Sequence, residues 1–494
     1  MEEQRSSYRQ IFKATSLFGG VQVFNILISI VKSKFIAVLL GPIGMGIAGL
    51  LSSTCDIINN LTSFGLETSA VRNIAAANAS EDKYRLNIIA TVVRRLVWVT
   101  GLLGALVMLA LAPFLSELTF DSKDYTFAYI ILSISLLFRQ LTVTSKVLLQ
   151  GMRKLKALAK ASVLGSFLAL VITIPLYYLF GLKGIVPSII CSILITFFTL
   201  YFYTLKIKPK PVTLSRSEIW SEGKSILAMG FMLSLSRILY TITCYLLKVY
   251  IGRTGNIADV GLYNAGDAIV ISYTSLIFSA MLTDYYPRLS SVAHDKQLSK
   301  QTINQQAEIA ILILAPMLTG LFVYVQWVVQ LLYSKEFIVI NEMIQWAALG
   351  IFLKAVEWSV GILFLAKGDF KLFFFFETSY CIYTFIFNIL GYRWMGITGL
   401  GIASLAGYVV YSIQALIIGS YKYGFTFNRH FIKIFSLQFL CAIVCFAIVR
   451  YVPSPYHYIM GSCLIIASTV YSLVELNKRL ALKEFILSKI MRKK

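Results

Sequence analysis

Charged residues are scarce in this chain, and histidine is scarcer still. Asp, Glu, Lys and Arg make up 14% of the 494 residues, about half the share of an ordinary soluble domain, which excludes a water-facing surface over most of the chain. The three histidines, His294, His430 and His457, are scattered at loop edges and make no cluster. The seven cysteines all lie in apolar stretches and none forms a CxxC, so no metal or redox motif is legible; Cys441 and Cys445, at i,i+4, read as packing. No catalytic group and no metal ligand is therefore assigned. A cleaved signal is not expected either. Segment 1–13 is polar, and the apolar run 14–40 is too long for a signal core and lacks a small-residue cleavage site.

Apolar length is abundant. Hydrophobic residues account for 58% of positions and mean hydropathy is +0.76. Runs of about 20 apolar residues, each enough to cross roughly 30 Å of hydrocarbon, recur along the whole chain. The expected fold is an all-α polytopic membrane protein with fourteen spans: 14–40, 42–64, 96–115, 126–149, 161–180, 185–205, 225–251, 261–286, 306–333, 343–365, 372–391, 398–420, 434–449 and 458–475. No segment outside these is large enough for a folded catalytic domain, which argues against a glycan polymerase or ligase.

The basic excess orients the chain. With the N-terminus inside, 32 of the 45 Lys and Arg fall in inner segments and six in outer ones. Such a bias places both termini in the cytoplasm. The net charge of +22 then belongs to the membrane surface, and nucleic acid is not needed as a partner. An internal repeat, at offsets of 211 and 215, lays Lys13 to Gly41 on Lys224 to Gly252 and Arg139 on Lys354. It divides the chain into a lobe and linker at 1–224 (the linker holding Lys208-Pro209-Lys210-Pro211), a second lobe at 225–420, and a final pair of spans with a basic tail at 421–494.

The remaining seven bases lie inside spans: Lys32, Lys34, Arg139, Lys146, Arg237, Lys248 and Lys354. A basic side chain at mid-bilayer depth costs about 2.5–3.5 kcal/mol, so each is a functional candidate by default. Lys146 and Lys248 lie within three residues of a span end, from which they can snorkel. Arg237, Arg139 and Lys354 lie near mid-depth. Lys32 and Lys34 point about 200° apart on their helix and compete for one cavity role. Arg237 has no acid within a turn, whereas Lys354 has Glu357 three residues on, a natural ion pair. Arg237, Arg139, Lys354, Lys32 and Lys34 are the expected path for an anion. Asp56, Asp267, Glu357 and Glu377 are buried acids suited either to pairing with these bases or to H⁺ or Na⁺ coupling. No other cofactor is expected.

Three stretches carry a family resemblance. They are Lys13-Ala14-Thr15-Ser16-Leu17-Phe18-Gly19-Gly20, Leu40-Gly41-Pro42-Ile43-Gly44-Met45-Gly46, and the run Gly65-Leu66-Glu67-Thr68-Ser69-Ala70-Val71-Arg72-Asn73-Ile74-Ala75. Together they resemble the N-terminal half of bacterial polysaccharide flippases, the O-antigen translocases of the multidrug/oligosaccharidyl-lipid/polysaccharide exporter superfamily. Gly261-Leu262-Tyr263-Asn264-Ala265 resembles the start of that family's eighth span. The resemblance covers the first twelve spans. It implies two six-helix lobes in a V around a cationic cavity, with two extra C-terminal helices here. It also implies flipping of an undecaprenyl-pyrophosphate-linked oligosaccharide across a bacterial inner membrane, with membrane lipids and glycan polymerase or assembly proteins as partners. The alternative is a multidrug or organic cation antiporter of the same fold, which would need a cavity dominated by carboxylates.

Overall fold

The computed structural model describes residues 2–80, 82–207, 209 and 212–480. Side chains are described within these except at 2–23, 206, 216, 233, 272, 273, 276, 283 and 480. Part of the linker (Lys208, Lys210 and Pro211), the side chains of the 13–20 motif and the basic tail beyond 480 lie outside the described residues.

All regular structure among them is helical. The α-helices are α1 (Glu2–Ser63), α2 (Leu66–Ala79), α3 (Lys83–Phe120), α4 (Thr126–Gly151), α5 (Leu155–Phe180), α6 (Ile185–Thr204), α7 (Arg216–Thr254), α8 (Ile257–Ser291), α9 (Lys296–Leu332), α10 (Asn341–Ala366), α11 (Phe370–Tyr423), α12 (Arg429–Tyr451) and α13 (Tyr456–Leu480).

Two of these helices are far longer than a bilayer. Sixty-two residues of α1 would span about 93 Å if straight, three times the hydrocarbon thickness. The helix instead breaks at Gly41, whose φ of 63° and ψ of −168° are open only to glycine. Pro42 follows, with no N–H to give to the preceding turn. A second break lies at Met395–Gly396 in α11. With those two helices divided and the 14-residue α2 set aside as too short, the described helices supply fourteen segments of membrane length. The 41–42 junction of the sequence reading is the first break, and the polytopic all-α class holds.

The chain packs as two compact units, Met1–Gly261 and Leu262–Lys494. In the first, α2, α3 and α4 bury a core that includes Leu66, Ile74, Val93, Val97 and Val147. A second core joins α1, α3, α4 and α6 through Leu51, Met108, Tyr129, Leu132 and Ile185. The reverse face of α3 leaves Val99, Leu102, Leu106 and Phe114 exposed. In water such a stripe would be an association site; at membrane depth it meets lipid tails.

In the second unit α12 and α13 dock on α9. The Arg479 guanidinium bonds Glu308 on α9 at 2.8 Å and Glu475 at 2.7 Å. The three side chains are mostly shielded from solvent, so losing the arginine would strand a buried carboxylate. Near the other end, a side chain at Gly461 would come within 2.5 Å of Val323. The final helix, α13, is thus fixed to α9 by both charge and close contact.

Candidate functional site: a basic cavity in the first unit

On α4, Arg139 and Lys146 are seven residues apart. Seven residues fall about 20° short of two full turns, so both bases share one face, roughly 10.5 Å apart along the axis. By the same spacing the core residue Leu132 lies on that face too, with Leu136 and Tyr129 within about 80° of it. The bases therefore carry the inward-facing side of α4 on beyond this core.

A third base arrives on α7. Gly65, between α1 and α2, has φ 62° and ψ 21°, and a Cβ built on it would lie 2.1 Å from the Gly230 carbonyl oxygen. Only glycine at this left-handed position lets α7 approach so closely. Arg237 is again seven residues beyond Gly230, on the same face of α7. Just past it, the Asn60 amide donates to the Thr241 hydroxyl at 3.2 Å and ties α1 to α7.

These elements enclose a cavity of about 710 Å³, with Arg139, Lys146 and Arg237 in its wall and Glu67 as its one lining carboxylate. Amides and hydroxyls complete the lining, among them Asn59, Gln140, Ser162 and Ser166. Arg139 Nη1 lies 2.6 Å from Asp56 Oδ1, and Lys146 Nζ lies 2.5 Å from Glu67 Oε1. All four side chains are about two-fifths exposed, so both pairs are open to solvent in the cavity. Among the described residues Arg237 makes no ion pair and its guanidinium no hydrogen bond, as its sequence context predicts. A second cavity of about 250 Å³, in the other unit, is lined by Leu314, Met317, Leu318 and similar groups with no charged side chain.

The structure distributes the other sequence candidates as follows. Lys32 and Lys34 are half-buried on the first segment of α1 and do not line the basic cavity. Lys248, expected to snorkel, instead donates to the Ser53 hydroxyl at 2.9 Å. Lys354 and Glu357 do not form the predicted ion pair. The Lys354 ammonium lies over the rings of Tyr408 and Phe278, 5.5 and 5.8 Å from their centroids, an arrangement that stabilises a cation without a carboxylate. Glu357 is buried beside it. Glu377 accepts a 2.7 Å hydrogen bond from the Tyr411 hydroxyl, and Tyr411 stacks on Phe376 and Tyr380. Asp267 is half-buried on α8.

The sequence reading did not place Lys146 and Glu67 in a site. Lys146 was discounted because it lies near a span end, although its seven-residue spacing from Arg139 was a usable signal. Glu67 had no such signal, because its placement depends on the turn at Gly65.

Comparison with known proteins locates this arrangement in a family. Residues 35–342, more than half of the chain, match the family described as polysaccharide biosynthesis protein. The chain belongs to that family. Among curated relatives of this family member, the lipid III flippase of Escherichia coli (strain K12) is 18% identical over 384 residues, covering 76% of this chain and 90% of the relative. A lipid III flippase of Shigella flexneri matches equally. Among solved structures, the lipid II flippase MurJ in an inward closed conformation aligns with a TM-score of 0.71 at 14% identity, covering 95% of this chain and 99% of that one. A multidrug resistance MATE family transporter in an inward-facing conformation aligns with a TM-score of 0.66 at 15% identity, covering 81% and 94%. At such identities the structural likeness establishes the fold alone.

Proposed function

We infer that this protein is a flippase for a polyprenyl-diphosphate-linked oligosaccharide, an O-antigen or related surface-polysaccharide unit, moved from the cytoplasmic to the periplasmic leaflet of a bacterial inner membrane. One observation carries the reading: three bases and a single lining carboxylate share a polar cavity of about 710 Å³. A diphosphate is a compact polyanion that is recognised by guanidinium forks and ammonium groups in a low-dielectric setting. The amides and hydroxyls of the same wall offer donors and acceptors to sugar hydroxyls, while the isoprenoid chain stays among lipid tails. The lipid III and lipid II flippases among its relatives and structural neighbours favour the same chemistry.

The mechanism we assign is alternating access, with both termini cytoplasmic and lobes at 1–224 and 225–420. A ligand shifts such an equilibrium only by binding its two states unequally, and a dense anion meeting Arg237 and Arg139 supplies that difference. Lys354 and one of Lys32 and Lys34 extend the path. Asp267, Glu357 and Glu377 are the carboxyls assigned to H⁺ or Na⁺ coupling, while Asp56 is engaged by Arg139. The product would pass to glycan polymerase or assembly proteins.

A multidrug cation antiporter has support in the MATE-type fold, but a cavity whose one unneutralised lining charge among the described residues is Arg237 disfavours an organic cation. The deciding experiment is deletion of the gene followed by complementation. The lipid-linked oligosaccharide should accumulate on the cytoplasmic leaflet, and Arg237→Gln and Arg139→Gln should each restore tenfold less surface glycan than wild type at equal protein level. Full output from both variants would sink the anion path, and drug resistance without a glycan phenotype would install the antiporter.

A further inference from the structure

The two α4 bases that face the basic cavity are already occupied by carboxylates. Asp56, on α1, holds Arg139, and Glu67, on α2, holds Lys146. Each acid comes from a different helix than its base, and each pair is about two-fifths exposed. A half-exposed pair is weak, on the order of 1 kcal/mol or less, and a dense anion can break it. Lys146 and Glu67 both line the cavity where that anion would arrive.

We propose that Glu67 is an internal competitor of the substrate: it occupies Lys146 as a stand-in for phosphate and gives way when a dense anion enters the cavity. The inference rests on the anionic-substrate reading above. A terminal phosphate carries roughly 1.5–2 negative charges at neutral pH against one for the carboxylate, so it can take the place of Glu67 on Lys146. A diphosphate replaces it with a denser anion and leaves Arg237, the unpaired base, to engage its second phosphate. On displacement Glu67 loses its tie to α4, so α2 is released from α4 at this point when the site fills.

The test uses the full chain in nanodiscs and radiolabelled farnesyl diphosphate and farnesyl monophosphate as probes, with empty nanodiscs subtracted. Glu67→Gln should bind the diphosphate about three- to fivefold more tightly, the size of the ion pair it abolishes. It should tighten monophosphate binding by a similar factor, because either anion must displace the same carboxylate. Lys146→Gln should weaken diphosphate binding, and the double variant should bind no more tightly than Lys146→Gln, because the competitor acts only through that lysine. Glu67→Asp, which keeps the charge on a shorter arm, should move the same way by less and serves if Glu67→Gln unfolds. If wild type binds the diphosphate but Glu67→Gln binds it no tighter, or if the double variant gains as much as Glu67→Gln alone, the proposal is overturned while the functional reading stands. Wild type without saturable diphosphate binding would overturn both.

Discussion

Single side chains in this protein are governed by which partner neutralises them. Arg139 and Lys146 are matched by acids, Lys354 by ring faces, and Arg237 by nothing among the described residues. Outside the membrane the same logic ties helix ends together. Asp369 begins α11, and its carboxylate accepts from the Tyr423 hydroxyl and pairs with Lys422 at 2.9 Å, joining the start of that helix to its end. The Tyr423 bond first, and Lys422 second, hold the Asp369 carboxyl below its ordinary value. Because the folded value is depressed, this contribution is complete above the unfolded value of about 3.9 and disappears as pH falls through the lower folded value. Asp369→Asn should therefore lower the thermal midpoint in detergent at pH 6, and the deficit should shrink as pH falls below about 3.9. A deficit that does not shrink with acid would mean that the carboxylate charge is not what matters.

Elements are placed by backbone contacts as much as by apolar faces. Gly65 and Gly424 have nearly the same left-handed conformation, with φ of 62° and 66°. A Cβ at Gly424 meets nothing within 4 Å, whereas one at Gly65 would strike the Gly230 carbonyl of α7. Gly424→Ala should cost only the backbone penalty, about 1–2 kcal/mol, and keep glycan export. Gly65→Ala adds the displacement of α7, and with it of Arg237, so export should fall at least tenfold even where the protein accumulates. Equal export from the two variants would show that the α2–α7 approach does not set the site. The apolar patterning that defined the spans was legible in sequence because a bilayer demands about 20 apolar residues per pass. The turn at Gly65 was not, since its meaning depends on a residue 165 positions away.

At the scale of the molecule, the first unit holds the polar, basic cavity, and the second holds Lys354, Glu357 and Glu377 among aromatic rings. On the proposed reading, anion binding centres on the first unit, with Lys354 extending the path, and cation coupling falls to the carboxyls of the second. Glu357→Gln and Glu377→Gln should leave farnesyl diphosphate binding within about twofold of wild type and reduce glycan export severalfold. A protonophore or sodium removal should no longer slow whichever variant has lost the coupling carboxyl. If both variants lost diphosphate binding instead, these acids would belong to the substrate site. Legibility differed between the halves for a physical reason. Arg237 was found because no nearby acid exists in sequence. For Lys354 the i,i+3 spacing to Glu357 on one helix does not reveal the rings that neighbouring helices bring.

The sequence by itself determined the membrane class, the fourteen segments and the excess of bases at depth. All three follow from local length and composition against a fixed hydrocarbon thickness. Only the tertiary structure decided which bases share a cavity, which acid holds each one, and that Lys146 belongs among them. Those outcomes depend on helix faces and close glycine contacts between residues far apart in the chain, where one residue of register turns a side chain by about 100°.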